Sequence, residues 1–161
     1  MITKNNKFIL NGILIFSILS LLIAYSIQYV LGHKPCNLCL IERIPYIASV
    51  ILISLIFIIN KFEKIISIIL LLFFIFAIIV SFYHFGIEQG FFSESLVCDL
   101  GNNANVSKKQ LLKQLENASI VSCKNVTFRI LGLSLATINT IISIILSVIM
   151  IKVIKNYDKN K

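Results

Sequence analysis

The sequence predicts an all-α integral membrane protein, a four-transmembrane-helix bundle with two outward loops. Three observations carry that reading. The first is composition: of 161 residues, 58% are hydrophobic and only 14% charged, with a mean hydropathy of +0.94. A soluble domain carries about 25% charged residues. The second is that four apolar runs reach the length of about 20 residues that a helix needs to cross the hydrocarbon core. The third is that the charges collect between those runs. The residues left over cannot build a second core, so one membrane domain spans 1–161. The net charge of +8 is scattered in small groups, which argues for membrane topology and against a nucleic-acid partner.

The first span is predicted over 8–31, since no charge occurs between Lys7 and Lys34. It exceeds the 7–15 residues of a signal-peptide core, and no small-x-small cleavage site follows, so it is expected to be retained. The uncharged run from Ile44 to Asn60 is short, and its helix is predicted to begin near Leu38, giving a second span over 38–59. Glu42 and Arg43 then lie at the membrane edge, with Pro45 accommodated in an early turn. The turn from Asn60 to Lys64 leads into a third span over 65–85, and a fourth covers 130–151. The outward loops are 32–37 and 86–129. In the longer one, Ser107 and Gln110 have capping-box spacing ahead of Leu111, Leu112 and Leu115. That pattern predicts a short helix over 107–117, either on the membrane surface or within the loop.

Basic residues orient the bundle. Lys4, Lys7, Lys61, Lys64, Lys152, Lys155, Lys159 and Lys161 crowd the very short segments on one side. Lys34, Arg43, Lys108, Lys109, Lys113, Lys124 and Arg129 are spread over much longer segments on the other. The first side is therefore predicted to be cytoplasmic, with both termini inside and both loops facing out. Tyr25, Tyr29, Tyr46 and Tyr83 fall near the outer ends of spans, where amphipathic rings settle.

All four cysteines, Cys36, Cys39, Cys98 and Cys123, fall in or beside the outward segments. In an oxidising compartment these are disulfide partners. Four cysteines permit three pairings. Cys36 and Cys39 are close enough to pair together, which leaves Cys98 with Cys123 across the long loop. A structural bond suits Cys98–Cys123. A Cys36–Cys39 bond closes too small a loop to remove much unfolded-state entropy, so redox chemistry explains it better. Zinc wants two closely spaced ligand pairs, and Cys98 and Cys123 are far apart, so no metal is expected.

Arg43 lies four residues after Cys39, within reach of its sulfur from the next helical turn, and a cation there favours thiolate. A snorkelling anchor is the alternative, and a mixed role is expected. His84 closes the third span with Glu88 one turn on. It is either an interfacial polar residue or a proton carrier at a redox site. Asn139 in the fourth span reads as helix–helix glue.

The stretch His33-Lys34-Pro35-Cys36-Asn37-Leu38-Cys39-Leu40-Ile41-Glu42-Arg43 closely resembles the first periplasmic loop of the DsbB family. Tyr83 to Gly90 resembles the end of that family's third span. Cys98-Asp99 and Leu131 to Ala136 resemble its second loop and fourth span. The likeness runs in order along nearly the whole chain, though no proline precedes Cys98 as it does in many relatives. It implies a bacterial inner-membrane thiol–disulfide oxidoreductase that reoxidises a soluble DsbA-type periplasmic partner and passes the electrons to quinone, either ubiquinone or menaquinone. By the same resemblance Cys98 is the sulfur attacked by the partner and Cys123 its resolving cysteine. Cys36 and Cys39 accept the electrons, Cys39 standing closest to the quinone, with Arg43 and His84 beside the ring. A vitamin K epoxide reductase-like enzyme is the other redox reading, but there the quinone-proximal Cys-x-x-Cys follows the loop pair, whereas here it comes first. A membrane scaffold or transporter with structural disulfides is the non-enzymatic reading. The chain shows neither the broken midplane helices nor the repeats of a transporter.

Overall fold

A computed structural model describes residues 4–59, 62–93, 123, 129–130 and 133–159. Its elements are α1 (Lys4–Tyr29), α2 (Asn37–Ile41), α3 (Ile44–Ile59), α4 (Glu63–Glu88), β1 (Arg129–Ile130), β2 (Leu133–Ser134) and α5 (Leu135–Lys159). Four helical segments, Asn6–Tyr29, Asn37–Ile59, Glu63–Glu88 and Leu135–Tyr157, are long and apolar enough to cross a membrane. The predicted four-helix membrane architecture is what the chain adopts. Packing runs α1–α3, α3–α4 and α4–α5, and a lighter α1–α5 contact closes the ring.

The bundle is sorted by side-chain size and polarity. Buried at the centre are Leu10, Ile13, Ile53, Ile56, Leu70, Phe74 and Met150. Alongside them are the small hydroxyls Ser17, Ser49, Ser67, Ser81, Ser143 and Ser147. Small residues let helix backbones approach closely where no hydrophobic force separates helix from lipid. Ser49 also donates to Ser17 at 2.7 Å, joining α3 to α1. The large apolar residues Leu22, Ile58, Leu72, Ile79 and Ile145 point outward, as a lipid-facing surface requires. At one end, Asn6 donates to the Val153 carbonyl at 3.4 Å and accepts from Asn156 at 3.3 Å, holding the start of α1 against the end of α5.

Two boundaries differ from expectation. The second span is a helix with a break in it: α2 ends at Ile41, Glu42 and Arg43 form a turn, and α3 starts at Ile44. Pro45 is the cause, because its ring has no N–H to offer the preceding turn. The fourth span begins at Leu135 instead of residue 130, because Arg129 and Ile130 pair antiparallel with Ser134 and Leu133. Ser134 then caps α5, its hydroxyl accepting from the Thr137 backbone N–H at 3.2 Å. The predicted 107–117 helix lies outside the described residues.

The exit from α4 is tightly specified. The Gly90 N–H donates to the Ile87 carbonyl at 3.0 Å and the Phe91 N–H to the Gly86 carbonyl at 2.8 Å, a Schellman closure. Gly90 takes a φ of +78° that L side chains resist. The chain folds back so that Phe92 stacks on Tyr83, with 5.5 Å between ring centroids, and covers Gly86.

Candidate functional site

The helical break brings the chemistry together. Cys36 is the N-cap of α2, its Sγ accepting from the Cys39 backbone N–H at 3.3 Å. This local closure turns the chain so that the two sulfurs meet, Sγ to Sγ 2.6 Å. The two cysteines of the predicted Cys36–Cys39 disulfide are thus brought side by side, their sulfurs in direct contact. The Cys39 thiol, as hydrogen-bond partner, holds the Cys36 thiol well below its usual range. Burial opposes the shift, and His84 adds to it.

His84, on α4, is buried beside this pair. Its Nε2 lies 3.6 Å from Cys36 Sγ and 3.7 Å from Glu88 Oε1, and its Nδ1 lies 2.7 Å from Glu42 Oε1. Glu42 sits in the turn between α2 and α3 and is itself buried. Its second oxygen accepts from Asn139 Nδ2 of α5 at 3.0 Å, and Asn139 Oδ1 accepts from the Tyr46 hydroxyl. Three helical segments thus meet at one carboxylate. Sequence reasoning had left Glu42 at the membrane edge and Asn139 as glue. The available signal was an acid inside an otherwise apolar span, which needs partners to be tolerated.

Arg43, next in the same turn, is held by α1. Its Nη1 donates to Gln28 Oε1 at 2.6 Å, and its guanidinium lies 5.0 Å from the Tyr25 ring centroid. No hydrogen bond joins Arg43 to Cys39 among the described residues. A four-residue spacing places two side chains on one helical face only while the helix continues, and here it breaks at Glu42.

Cys123 is buried and disulfide-bonded, and it shares a small buried cluster with Cys36, Leu38 and Ile87. Its predicted partner Cys98 lies outside the described residues. Cys36, Cys39, Arg43, His84 and Cys123 all border one cavity of about 350 Å³. Its walls, from α1 and α5, include Phe16, Leu21, Ile27, Ile138 and Ile142. An apolar cleft of this size with a few convergent polar groups is the usual form of a small-molecule site. The carboxylates of Glu42 and Glu88 also border it, and its donors include two thiols, the His84 imidazole, the Lys34 ammonium and the Arg43 guanidinium. That set suits an apolar ring carrying carbonyl oxygens, as a quinone does.

Comparison with known proteins agrees with this picture. The chain is 30% identical over 152 residues to a Rickettsia prowazekii (strain Madrid E) protein described as "Uncharacterized protein RP370". That match covers 92% of this chain and 88% of the relative. No solved structure matches. A family profile described as "Disulfide bond formation protein DsbB" matches residues 6–153. With four membrane-crossing helices and a buried Cys-x-x-Cys at a cavity edge, the chain belongs to the DsbB family of multi-pass membrane oxidoreductases of disulfide-bond formation.

Proposed function

We propose that this protein reoxidises a soluble DsbA-type periplasmic dithiol oxidase and passes the electrons through two cysteine pairs to quinone. The observation that carries the reading is the Cys36–Cys39 pair bordering an apolar cavity of about 350 Å³ that Arg43 and His84 also line. Bound quinone, ubiquinone or menaquinone, supplies the chemistry of accepting two electrons and two protons. Arg43 offers hydrogen bonds to its oxygens, His84 borders the same cavity, and the α1 and α5 walls exclude water. In the overall reaction the partner's dithiol becomes a disulfide and quinone becomes quinol, so atoms and electrons balance.

Cys98 is the sulfur attacked by the partner's thiolate; Cys123 leaves as thiolate and attacks Cys36, whose bond to Cys39 breaks, and the partner's second thiol resolves the mixed disulfide. Electrons then reach Cys36 by internal exchange, each step a thiolate attack on a disulfide sulfur. The shared burial of Cys123 and Cys36 in one cluster supports a short path between the pairs. The resting, oxidised protein carries Cys36–Cys39 and Cys98–Cys123. The protein sits in the bacterial inner membrane with its lysine-rich end and both termini cytoplasmic.

The test mixes purified protein with reduced DsbA-type partner and a quinone, and follows quinone absorbance. Stoichiometric loss of quinone with formation of partner disulfide is expected. Cys36→Ser should abolish it while the protein remains folded. Absence of partner-dependent quinone reduction in folded wild-type protein would overturn the proposal.

A further inference from the structure

A buried carboxylate at a membrane edge is expensive, because desolvation costs several kcal/mol unless hydrogen bonds replace the lost water. Glu42 meets that cost with two bonds, and how it uses them is informative. One oxygen takes Asn139 Nδ2 at 3.0 Å, which would suffice to join α3 to α5. The other takes His84 Nδ1 at 2.7 Å, which ties the turn to α4 and at the same time fixes the orientation of a ring that faces a thiol. With Nδ1 donating to the carboxylate, Nε2 is left to face Cys36 Sγ at 3.6 Å. A thiol, an imidazole and an orienting acid in that order are the arrangement by which nucleophilic cysteines are activated.

We propose that Glu42 is the positioning residue of a Glu42–His84–Cys36 relay, holding the imidazole so that Nε2 takes the Cys36 thiol proton when Cys36 attacks and returns it when Cys36 leaves. This rests on the reading of Cys36–Cys39 as the redox pair. In the proton step the S–H bond of Cys36 breaks and an N–H bond forms at Nε2. The sulfur keeps its electron pair, and the positive charge on the ring is met by the Glu42 carboxylate. In the exchange step Cys36 leaves with its electron pair when its bond to Cys123 breaks, and its thiolate later re-forms the bond to the Cys39 sulfur as the pair's two electrons pass to the quinone acceptor.

The charged and titratable groups around this relay are few. Cys39 faces Cys36 directly, Glu88 Oε1 faces the same Nε2 at 3.7 Å, and His33, Lys34 and Arg43 stand on the cavity wall. Glu42 has two opposed effects on Cys36. Its negative charge disfavours a thiolate directly, and its bond to the ring favours the imidazolium that stabilises one. The second dominates, because the ring touches both groups whereas the carboxylate reaches the sulfur only across it.

The experiment measures site-resolved alkylation of Cys36 against pH in reduced protein carrying Cys39→Ser, by peptide mass mapping. It needs neither quinone nor partner. Failure here removes the role of Glu42 alone, whereas failed quinone reduction removes the wider reading. Glu42→Gln is expected to raise the midpoint by about one unit, a tenfold loss of thiolate at any pH well below it. Glu42→Asp should recover part of the shift. His84→Gln should raise the midpoint at least as far, and the double variant no further, because the acid acts through the ring. A Glu42→Gln profile superimposed on its parent, or an additive double variant, would overturn the relay. Where Glu42→Gln does not fold, nitrogen NMR of His84 in the unsubstituted protein decides instead. The Nδ1–H form is expected at neutral ring charge, and the Nε2–H form would exclude the proposal.

Discussion

The Arg43 guanidinium lies 5.0 Å from the Tyr25 ring centroid while its Nη1 donates to Gln28 at 2.6 Å, so the cation is held by two residues of α1. Planarity matters to both contacts: the face rests on the ring and the edge reaches the amide. Lysine keeps the charge and loses the fork. Arg43→Lys is therefore expected to retain part of the quinone-reducing activity. Arg43→Met should raise the apparent quinone KM or slow quinone reduction by about tenfold or more, equivalent to roughly 1.4 kcal/mol. Tyr25→Leu should reproduce a fraction of that loss. Partner exchange, followed by stopped flow, should be little changed. Normal quinone kinetics per folded molecule in Arg43→Met, with only reduced thermal stability, would make Arg43 an anchor and nothing more.

Gly86 has no room for a side chain. A Cβ there would collide with the Phe92 ring, which is held over it by the closure of α4 and by stacking on Tyr83. Gly86→Ala should push that ring away and cost about 1–3 kcal/mol, the usual range for overpacking. Thermal unfolding in detergent measures it. The double variant Gly86→Ala/Phe92→Ala should be no less stable than Phe92→Ala alone. An alanine variant as stable as wild type would mean that Phe92 packs elsewhere.

Much of this was legible in the sequence because membrane physics writes in long uniform runs. Four apolar stretches announced four helices, and a cation or proline at their edges announced their ends. What could not be read was the consequence of Pro45. Treated as an ordinary early-turn proline, it left α2 and α3 as one helix and put Arg43 on the face of Cys39. As a break, it sends Arg43 toward α1 and Glu42 into the bundle. The Glu42–His84 and Glu42–Asn139 bonds join residues 42 and 97 positions apart, and no local pattern encodes them. The β1–β2 pairing ahead of α5 is likewise a two-residue event inside an apolar run, with no periodic signal of its own.

The lysine asymmetry yields a test of orientation. Asn6, Val153 and Asn156 hold the beginning of α1 and the end of α5 at one end of the bundle. Single cysteines introduced at Lys64 and Lys155 in a background without native cysteines should be blocked by a membrane-impermeant maleimide only after the cells are opened. A cysteine at His33 should react in intact spheroplasts. Labelling of position 64 from the outside would invert the topology and put the redox cavity on the cytoplasmic face.

The two thiols of the reduced pair should differ in the pH at which they react, and the causes can be separated. Cys36 is pulled below the ordinary thiol range first by its hydrogen bond with Cys39 and then by His84, against the opposing effect of burial. A lowered value means that thiolate persists as pH falls below about 8.5 and disappears only on further acidification. Because Cys36 is buried, absolute rates with alkylating reagents will be slow, so the midpoint of the pH profile is the quantity to compare. Cys39→Ser retains a hydroxyl near the sulfur and should leave Cys36 reactive well below the free-cysteine midpoint. Cys39→Ala removes the donor and should shift that midpoint upward, and His84→Gln should shift it in the same direction. If Cys39→Ala and Cys39→Ser give the same profile, the neighbouring thiol contributes nothing as a donor. If His84→Gln leaves the midpoint unchanged, the imidazole does not stabilise the Cys36 thiolate.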